Sequence, residues 1–252
     1  MAVKGTSRLD AAVVARGLAA SRERARALIL AGKVRVNGSV VAKAGAPVDD
    51  TADITLIEPD HPYVGRGGVK LAHALDQFGI DVRDRLALDV GASTGGFTDV
   101  LLRRGVPRVI ALDVGHGQLD WRLRSDPRVV VLERINARLL TAEQLPAGAR
   151  AFDVVTMDLS FISVRQVLPA IMPVLARGAD LVVLVKPQFE AGREEVGKGG
   201  IVRDSAIHDR VLAEVSAAAN ALGLRRIAMT ESPITGTEGN REFFLHLRGP
   251  DP

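Results

Sequence analysis

Residues 86–102 read LALDVGASTGGFTDVLL, and most of the chain can be read outward from them. Leu86 to Val90 is a short apolar run. Gly91-Ala92-Ser93-Thr94-Gly95-Gly96 then breaks it, and Phe97, Val100 and Leu101 resume at helical spacing. The pattern is a strand, a tight glycine turn and a helix start. Such a turn lets a ligand approach the backbone, and a helix start offers N–H groups with no partner inside the helix. The spacing is close to G-x-G-x-x-G, with Ser93 in place of the second glycine. An ordinary strand-to-helix turn carries glycines too. The next apolar run, Arg108 to Asp113, ends in an acid about twenty residues after the glycines, where a carboxylate can accept both ribose hydroxyls of an adenosine. Alone, Asp113 reads as a strand-ending turn residue. Together the two features point to a bound adenosine moiety.

From Leu86 onward the pattern alternates. Strands are expected at 86–90, 108–113, 128–132, 153–158, 180–186, 225–231 and 242–247, and helices notably at 96–104, 163–176 and 204–222. Alternation at this pitch predicts a parallel sheet with helices on both faces. The last two strands differ, since only Ser232 to Arg241 joins them, with no helix between. That link predicts an antiparallel pair at the sheet edge. The pair resembles the seventh, reversed strand of S-adenosylmethionine-dependent methyltransferases, which dinucleotide-binding sheets lack. The expected fold class is therefore α/β: a Rossmann-like methyltransferase sheet with an antiparallel last strand, preceded by a small α+β domain.

The preceding domain is read from charge and turns. Residues 1–45 hold nine Lys/Arg against Asp10 and Glu23, residues 46–60 hold five acids and no base, and the remainder carries 24 bases to 23 acids. A compact basic segment ahead of a near-neutral body suggests a polyanion-binding module. Ser7-Arg8-Leu9-Asp10 predicts a capping box, with Leu9, Val13 and Leu18 facing a core and Gly17 stopping the helix. Ser21 predicts a second N-cap. Ala25, Leu28 and Ile29 make the apolar stripe, Arg22 and Arg26 share one face four residues apart, and Gly32 ends the helix. Val34 to Val41 alternates around Asn37-Gly38, a strong hairpin signal, and Asp53 to Ile57 adds a third strand. Two short helices, A-G-K-V-R-V-N-G and a hairpin resemble the small RNA-binding domain first known from ribosomal protein S-four. The resemblance covers Ser7 to Ile57. It implies RNA-phosphate contacts from Arg22, Arg26, Lys33 and Arg35, which give affinity and placement rather than sequence readout. Arg8 joins this expected RNA-binding set, and a solvated helix face is the plainer reading of the same arginines. The expected division is 1–58 for the RNA-binding domain, 59–66 for a linker and 67–252 for the methyltransferase domain. Gly65 to Gly68 reads as a flexible basic turn, with Arg66 a further RNA contact. Val69 to Phe78 reads as a helix closed by Gly79.

Composition excludes several classes. There are no cysteines, so disulfides, thiolate metal sites and cysteine nucleophiles are out. The five histidines show no ligand spacing, and no metal site is expected. No run of about eighteen apolar residues predicts a membrane span. The opening residues carry Arg16 inside their apolar stretch and read poorly as a signal peptide. A cytoplasmic protein is the expectation, with no membrane association and no obligate protein partner indicated.

Four polar residues fall where open α/β sheets bind ligands, beyond the carboxyl ends of the parallel strands. Asp158 ends the fourth strand and Lys186 the fifth. Glu242 enters the same edge because its strand is reversed, and Lys70 lies on the helix before the first strand. Each alone reads as a strand-end charge in solvent. A lysine ending a buried strand among acids can have a modified pKa and act as a base or orient a hydroxyl. The alternatives narrow by chemistry. Carbon-5 methylation of pyrimidines usually needs a cysteine. Exocyclic amines typically use an N/D-P-P-Y/F loop, whereas this chain has Asp158-Leu159-Ser160-Phe161. A ribose hydroxyl is a poor nucleophile whose proton must be managed.

The order Lys70, Asp158, Lys186, Glu242 is similar to the Lys-Asp-Lys-Glu tetrad of FtsJ-like 2′-O-ribose methyltransferases. Longer phrases resemble the TlyA family, also named haemolysin A: R-G-G-V-K-L at 66–71, D-V-G-A-S-T-G-G-F-T at 89–98, D-V-G-H-G-Q-L at 113–119, R-V-V-V-L-E-R-I-N-A-R at 128–138, D-L-S-F-I-S at 158–163 and V-K-P-Q-F-E at 185–190. That resemblance implies 2′-O-methylation of cytidine in ribosomal RNA, on one or both ribosomal subunits, 30S and/or 50S, with S-adenosyl-L-methionine as donor. It implies the tetrad for catalysis and Gly91, Ser93, Gly95 and Phe97 at the methionine end of the donor, with Ala92, Thr94 and Gly96 in the same turn. It assigns Asp113 to the ribose, with Val114 beside it, and Asn136 to the adenine side. A full-length N-terminal module resembles members that modify both subunits. Where some relatives have R-x-W-V, this chain has His61-Pro62-Tyr63-Val64, so their interdomain signalling does not carry over. Three competing readings are a membrane-active haemolysin, a non-catalytic RNA-binding protein and a pseudouridine synthase. The first lacks a spanning segment or strongly amphipathic basic helix. The second leaves the tetrad without a role, and the third does the same for the glycine turn and Asp113.

Overall fold

The chain divides into two units, Met1–Pro62 and Tyr63–Pro252. The computed structural model describes residues 5–57, 61–149, 151–236 and 238–250. Lys4, Glu58 at the end of the expected first domain, and Pro59 and Asp60 of the expected linker lie outside the described residues.

In the first unit β1 (Thr6–Arg8) runs directly into α1 (Leu9–Ala15), and α2 (Arg22–Leu30) follows. Ser21 caps α2 by accepting from the Arg24 backbone N–H at 3.2 Å. The hairpin of β2 (Val34–Val36) and β3 (Ser39–Val40) turns through Asn37 and Gly38, both at positive φ. These are the angles its Asn-Gly pair favours. A second two-stranded sheet pairs β1 with β4 (Pro47–Asp49), and β5 (Ile54–Leu56) pairs with β2. Leu9, Val13, Ala25, Leu28, Ile29, Val34, Val48 and Ile54 form the core. Two expectations are corrected. Ser7 is not the cap of α1: it lies in β1 opposite Val48, and Arg8 holds the cap position without a side-chain capping bond to the helix backbone. The capping box fails because Asp10 is turned fully inward and its carboxylate is taken by arginines. Strands β1 and β4 were not expected, being too short for any period-2 alternation to show.

The second unit opens with α3 (Gly67–Phe78), closed by Gly79 in the left-handed conformation. The sheet strands are β6 (Leu86–Val90), β7 (Arg108–Leu112), β8 (Val129–Leu132), β9 (Phe152–Asp158), β10 (Leu175–Val185), β11 (Arg225–Glu231) and β12 (Phe243–Arg248). Between them lie α4 (Gly96–Arg103), α5 (Trp121–Arg124), α6 (Val164–Ile171), α7 (Pro187–Glu190) and α8 (Ser205–Ala221). The sheet order is β11-β12-β10-β9-β6-β7-β8. From β10 to β8 every pairing is parallel, and β12 is antiparallel to both its neighbours. This is the sheet expected from the alternation, with its reversed last strand.

Strand residues alternate between two cores. Leu88 and Val90 pack on the face covered by α6 and α8. Ala87 packs on the other face with Leu71 and Leu75 of α3 and Phe97, Val100 and Leu101 of α4. Asp89 shares the α4 face, where Thr98 of that helix donates to it at 2.6 Å. One further correction concerns Gly67 and Gly68, which are helical rather than part of a basic turn. The glycines there serve close packing. A Cβ on Gly96 would lie 2.8 Å from the Gly68 backbone nitrogen, so α3 and α4 meet glycine to glycine. The chain order diverges at β6, with β7 on one side and β9 on the other. Ligands of open α/β sheets bind at the carboxyl ends of strands at such a switch point.

Candidate active site

At that point β6 ends in Gly91 with φ of 84°, Ser93 with φ of 48° and Gly95 with φ of 97°. A side chain at Gly91 is excluded twice: the conformation disfavours it, and its Cβ would lie 2.4 Å from the Asp158 carbonyl oxygen. Backbone therefore lines the floor between β6 and β9. Above it opens a cavity of about 570 Å³. Its lining includes Gly91, Ala92, Ser93, Thr94, Gly96 and Phe97 of the turn, Arg66 and Gly67 at the start of α3, and all four of Lys70, Asp158, Lys186 and Glu242.

These four charges form two pairs. Lys70 donates to Glu242 Oε2 at 2.5 Å across 172 residues of sequence, and both side chains are almost wholly buried. Lys186 Nζ lies 2.5 Å from Asp158 Oδ1 and donates to Ser160 Oγ at 3.1 Å. The contact with Asp158 is an ion pair outside hydrogen-bond alignment, so its Oδ1 is buried without an aligned donor. Gln188 Oε1, on another cavity residue, is likewise buried and unpartnered. Asp158 Oδ1 keeps the Lys186 charge as its partner, and the cavity lining mixes these charges with backbone and aromatic surface.

The turn's other expected partner is Asp113, at the end of β7. Its Oδ2 accepts from the Ser93 N–H at 2.7 Å and its Oδ1 from the Gly115 N–H at 2.6 Å. The carboxylate thus braces the glycine turn from the neighbouring strand. Asp113 lines a small recess that shares Ala92 and Ser93 with the main cavity. Gly95 holds the N-cap position of α4, close to Leu119 and Leu123. The structure does not bring Val114 or Asn136 into either space. Val114 is exposed, and Asn136 caps a short turn of helix by accepting from the Arg138 N–H at 3.1 Å.

Several site features were not singled out from sequence. In sequence, Ser160 and Phe161 stand out only for lacking the prolines of an amine-methylating loop. Ser160 in fact bonds Lys186. Phe161 is 91% exposed with φ of 65°, its ring 5.2 Å from that of Phe189. Glu190 accepts from Ser163 Oγ and the Val164 N–H, both at 2.6 Å. It thereby ties the turn after Lys186 to the start of α6 and holds the intervening loop. Burial pushes the Glu190 carboxyl above its ordinary range. Asp89, directly before Val90 and the turn, is fully buried. Burial raises it to about 6 against the hydrogen bonds from Thr98 and Thr156. No sequence pattern distinguishes such an acid from its apolar strand neighbours except its being charged.

In the first unit the expected RNA-binding arginines do meet. Arg8, Arg22 and Arg26 all bond Asp10. Arg35 is exposed on β2, and Lys33 lies half-buried just before it.

The chain matches the FtsJ-like methyltransferase family over residues 63–249 and the S4 domain over residues 7–54. It is 51% identical over 243 residues to the 16S/23S rRNA (cytidine-2′-O)-methyltransferase TlyA of Mycobacterium tuberculosis, covering 96% of this chain and 90% of that one. It is 42% identical to a protein named Hemolysin A from Brachyspira hyodysenteriae, covering 95% of this chain and 99% of that one. A solved hemolysin-named protein of Streptococcus thermophilus superposes with a TM-score of 0.76 at 42% identity, covering 99% of this chain and 90% of the other. A Listeria monocytogenes structure described as an S-adenosylmethionine-dependent methyltransferase shares the fold at a TM-score of 0.55 and 14% identity, covering 74% of this chain and 100% of that one.

Proposed function

The chain belongs to the FtsJ-like methyltransferases, and on that footing we propose that it methylates the 2′-hydroxyl of a cytidine in ribosomal RNA, using S-adenosyl-L-methionine. The observation that carries this reading is the pair of lysine–carboxylate contacts on one edge of a cavity floored by the glycine turn. The 51% identical relative supports the acceptor, since its name specifies cytidine-2′-O.

When bound, the donor supplies an electrophilic methyl carbon on a sulfonium, so a C–O bond forms as a C–S bond breaks. The chain's part is alignment and proton management. Gly91 to Phe97 would take the methionine end, Asp113 with Val114 the ribose, and Asn136 the adenine side. The last two assignments rest on family resemblance, and Asp113 is also needed by the turn itself. Lys186, held between Asp158 and Ser160, would stand nearest the acceptor hydroxyl and take or orient its proton. Lys70, neutralised by Glu242, would keep the buried edge balanced in charge. Arg66, on the cavity wall, would meet the RNA backbone there. In the first unit Arg8, Arg22, Arg26, Lys33 and Arg35 would bind RNA phosphates in a 30S and/or 50S subunit.

The product test is alkaline hydrolysis of ribosomal RNA methylated by the purified protein. A 2′-O-methyl ribose cannot form the cyclic phosphate, so the linkage after the modified nucleotide should survive. Normal cleavage there would put the methyl on a base and overturn the proposal. The hemolysin label of some relatives offers a membrane-lytic reading. No helix among the described residues is long and apolar enough to cross a membrane, and no observation here favours that reading.

A further inference from the structure

Resting on the reading that the first unit binds RNA, we propose that Asp10 is a positioning residue: it gathers Arg8, Arg22 and Arg26 into one preformed cluster that accepts a backbone phosphate. Asp10 sits in the first turn of α1 with no exposed surface. Arg8 donates to both of its oxygens, from Nε at 3.1 Å and Nη2 at 3.0 Å. Arg22 reaches them from Nη2 at 3.3 and 3.2 Å, and Arg26 from Nε at 3.1 Å. The arginines come from β1 and α2, so the carboxylate is what brings two elements' charges to one point.

The stoichiometry is the argument. One carboxylate cannot neutralise three guanidinium groups, and the cluster keeps a net charge of two. Each guanidinium has five N–H donors and commits only one or two to Asp10. All three arginine side chains are more than half exposed while Asp10 is sealed. The anion therefore lies beneath and the cations face out. Three loose arginines would repel one another and would each have to be ordered when a ligand arrives, whereas a cluster already held in place avoids that ordering. The hydrogen bond from Arg8, more than any other cause, holds the Asp10 carboxyl well below the ordinary range despite burial. It stays ionised at any pH where RNA is bound.

Positioning by Asp10 and a plain net-charge effect predict opposite signs. Asp10→Asn keeps the shape and raises the protein's net charge by one. If only net charge matters, the variant binds RNA more tightly. If Asp10 positions the cluster, it binds more weakly. The experiment measures affinity of the full-length protein for purified ribosomal subunits and for a plain RNA hairpin across a potassium chloride series. The expected result for Asp10→Asn is about fivefold weaker binding near physiological salt, with the salt slope shallower by about 0.7–0.9, the loss of one phosphate contact. Asp10→Glu keeps the charge but moves the carboxylate by one methylene. It is expected to weaken binding several-fold as well, and it serves as the test if Asp10→Asn fails to fold. Thermal unfolding and S-adenosylmethionine affinity, measured alongside, report whether each variant is folded. Unchanged or tighter binding by a folded variant at every salt concentration overturns the positioning role. Charge reversal of Arg22 and Arg26 tests the underlying reading separately. If that variant binds as well as the wild type, the first unit is not the RNA-binding surface, whatever Asp10 does.

Discussion

Asp10 in the first unit and Asp89 in the second are both sealed from solvent, yet they titrate in opposite directions. Asp10 meets three guanidinium groups and is held below the ordinary carboxylate range, with the bond from Arg8 the largest cause. Asp89 meets two threonine hydroxyls and no cation, and burial lifts it to about 6. Burial alone does not decide the charge of a carboxylate; its partners do. The tetrad is the case between. Glu242 and Asp158 each face one lysine, and that edge is balanced. Three stoichiometries thus give three arrangements: a cationic outer face, two one-to-one ion pairs at the cavity edge, and an acid raised to about 6.

The largest effect is expected where a balanced pair is broken at the proposed reacting edge. Lys186→Ala should fold and bind S-adenosylmethionine, while turnover falls roughly 10²-fold or more, the scale of a lost general acid–base group. Lys186→Arg should not rescue it, because arginine stays protonated and differs in shape. A folded, cofactor-binding Lys186→Ala enzyme with near-normal turnover would break the analogy between paired charge and proton management.

Asp89 sharpens the other end of the comparison. Its folded-state pKa is raised from 3.8 to about 6, so the fold favours the protonated acid. The stability this contributes is full below about pH 3.8 and is lost as pH rises through about 6. At about 1.36 kcal/mol per pH step, the loss is at most about 3 kcal/mol. Asp89→Asn should therefore gain stability relative to the wild type between pH 4 and pH 7.5 by up to that amount, read from urea unfolding at both values. A difference that does not change with pH would mean that Asp89 titrates normally.

Next comes the cationic face. Reversing Arg22 and Arg26 to Glu should weaken ribosomal-RNA binding on the order of 20-fold near 0.15 M salt from two lost phosphate contacts, and by more through repulsion. Methylation of ribosomal subunits should fall with it, and S-adenosylmethionine affinity should stay unchanged. Equal methylation by this variant at limiting enzyme would remove the first unit from substrate capture.

The smallest effect is expected at Ser160, the neutral partner of Lys186. Ser160→Ala removes one hydrogen bond, about 0.5–1.5 kcal/mol and so roughly two- to tenfold in rate. The loss should fall on kcat rather than on cofactor affinity and should shift the pH–rate profile, with Ser160→Thr restoring both. An unchanged pH profile would leave Ser160 as loop structure only.

How much of this was legible in the sequence follows from the range of each interaction. The sheet was readable strand by strand, because apolar runs and helical spacing are local and repeat. So was the reversed β12, since a short link without a helix permits little else. The cap of α1 was misread. Ser7, Arg8 and Asp10 fit a local rule, but a strand partner forty residues on and two arginines of α2 competed for the same groups. The glycines before Lys70 fit a turn by local rules, whereas a side chain at Gly68 is excluded by Tyr63 and one at Gly96 by the backbone of Gly67 and Gly68, and these are matters of packing.

The sequence by itself determined the order of elements, the position of the glycine turn and the residue types at the strand ends. These depend on backbone preference and periodicity, which act over a few residues. Tertiary structure alone decided which charges share a partner: Lys70 with Glu242 across 172 residues, Lys186 with both Asp158 and Ser160, three arginines on Asp10 and none on Asp89. Coulomb and hydrogen-bond energies depend on distance and on exclusion of water, and neither is set until the chain has folded.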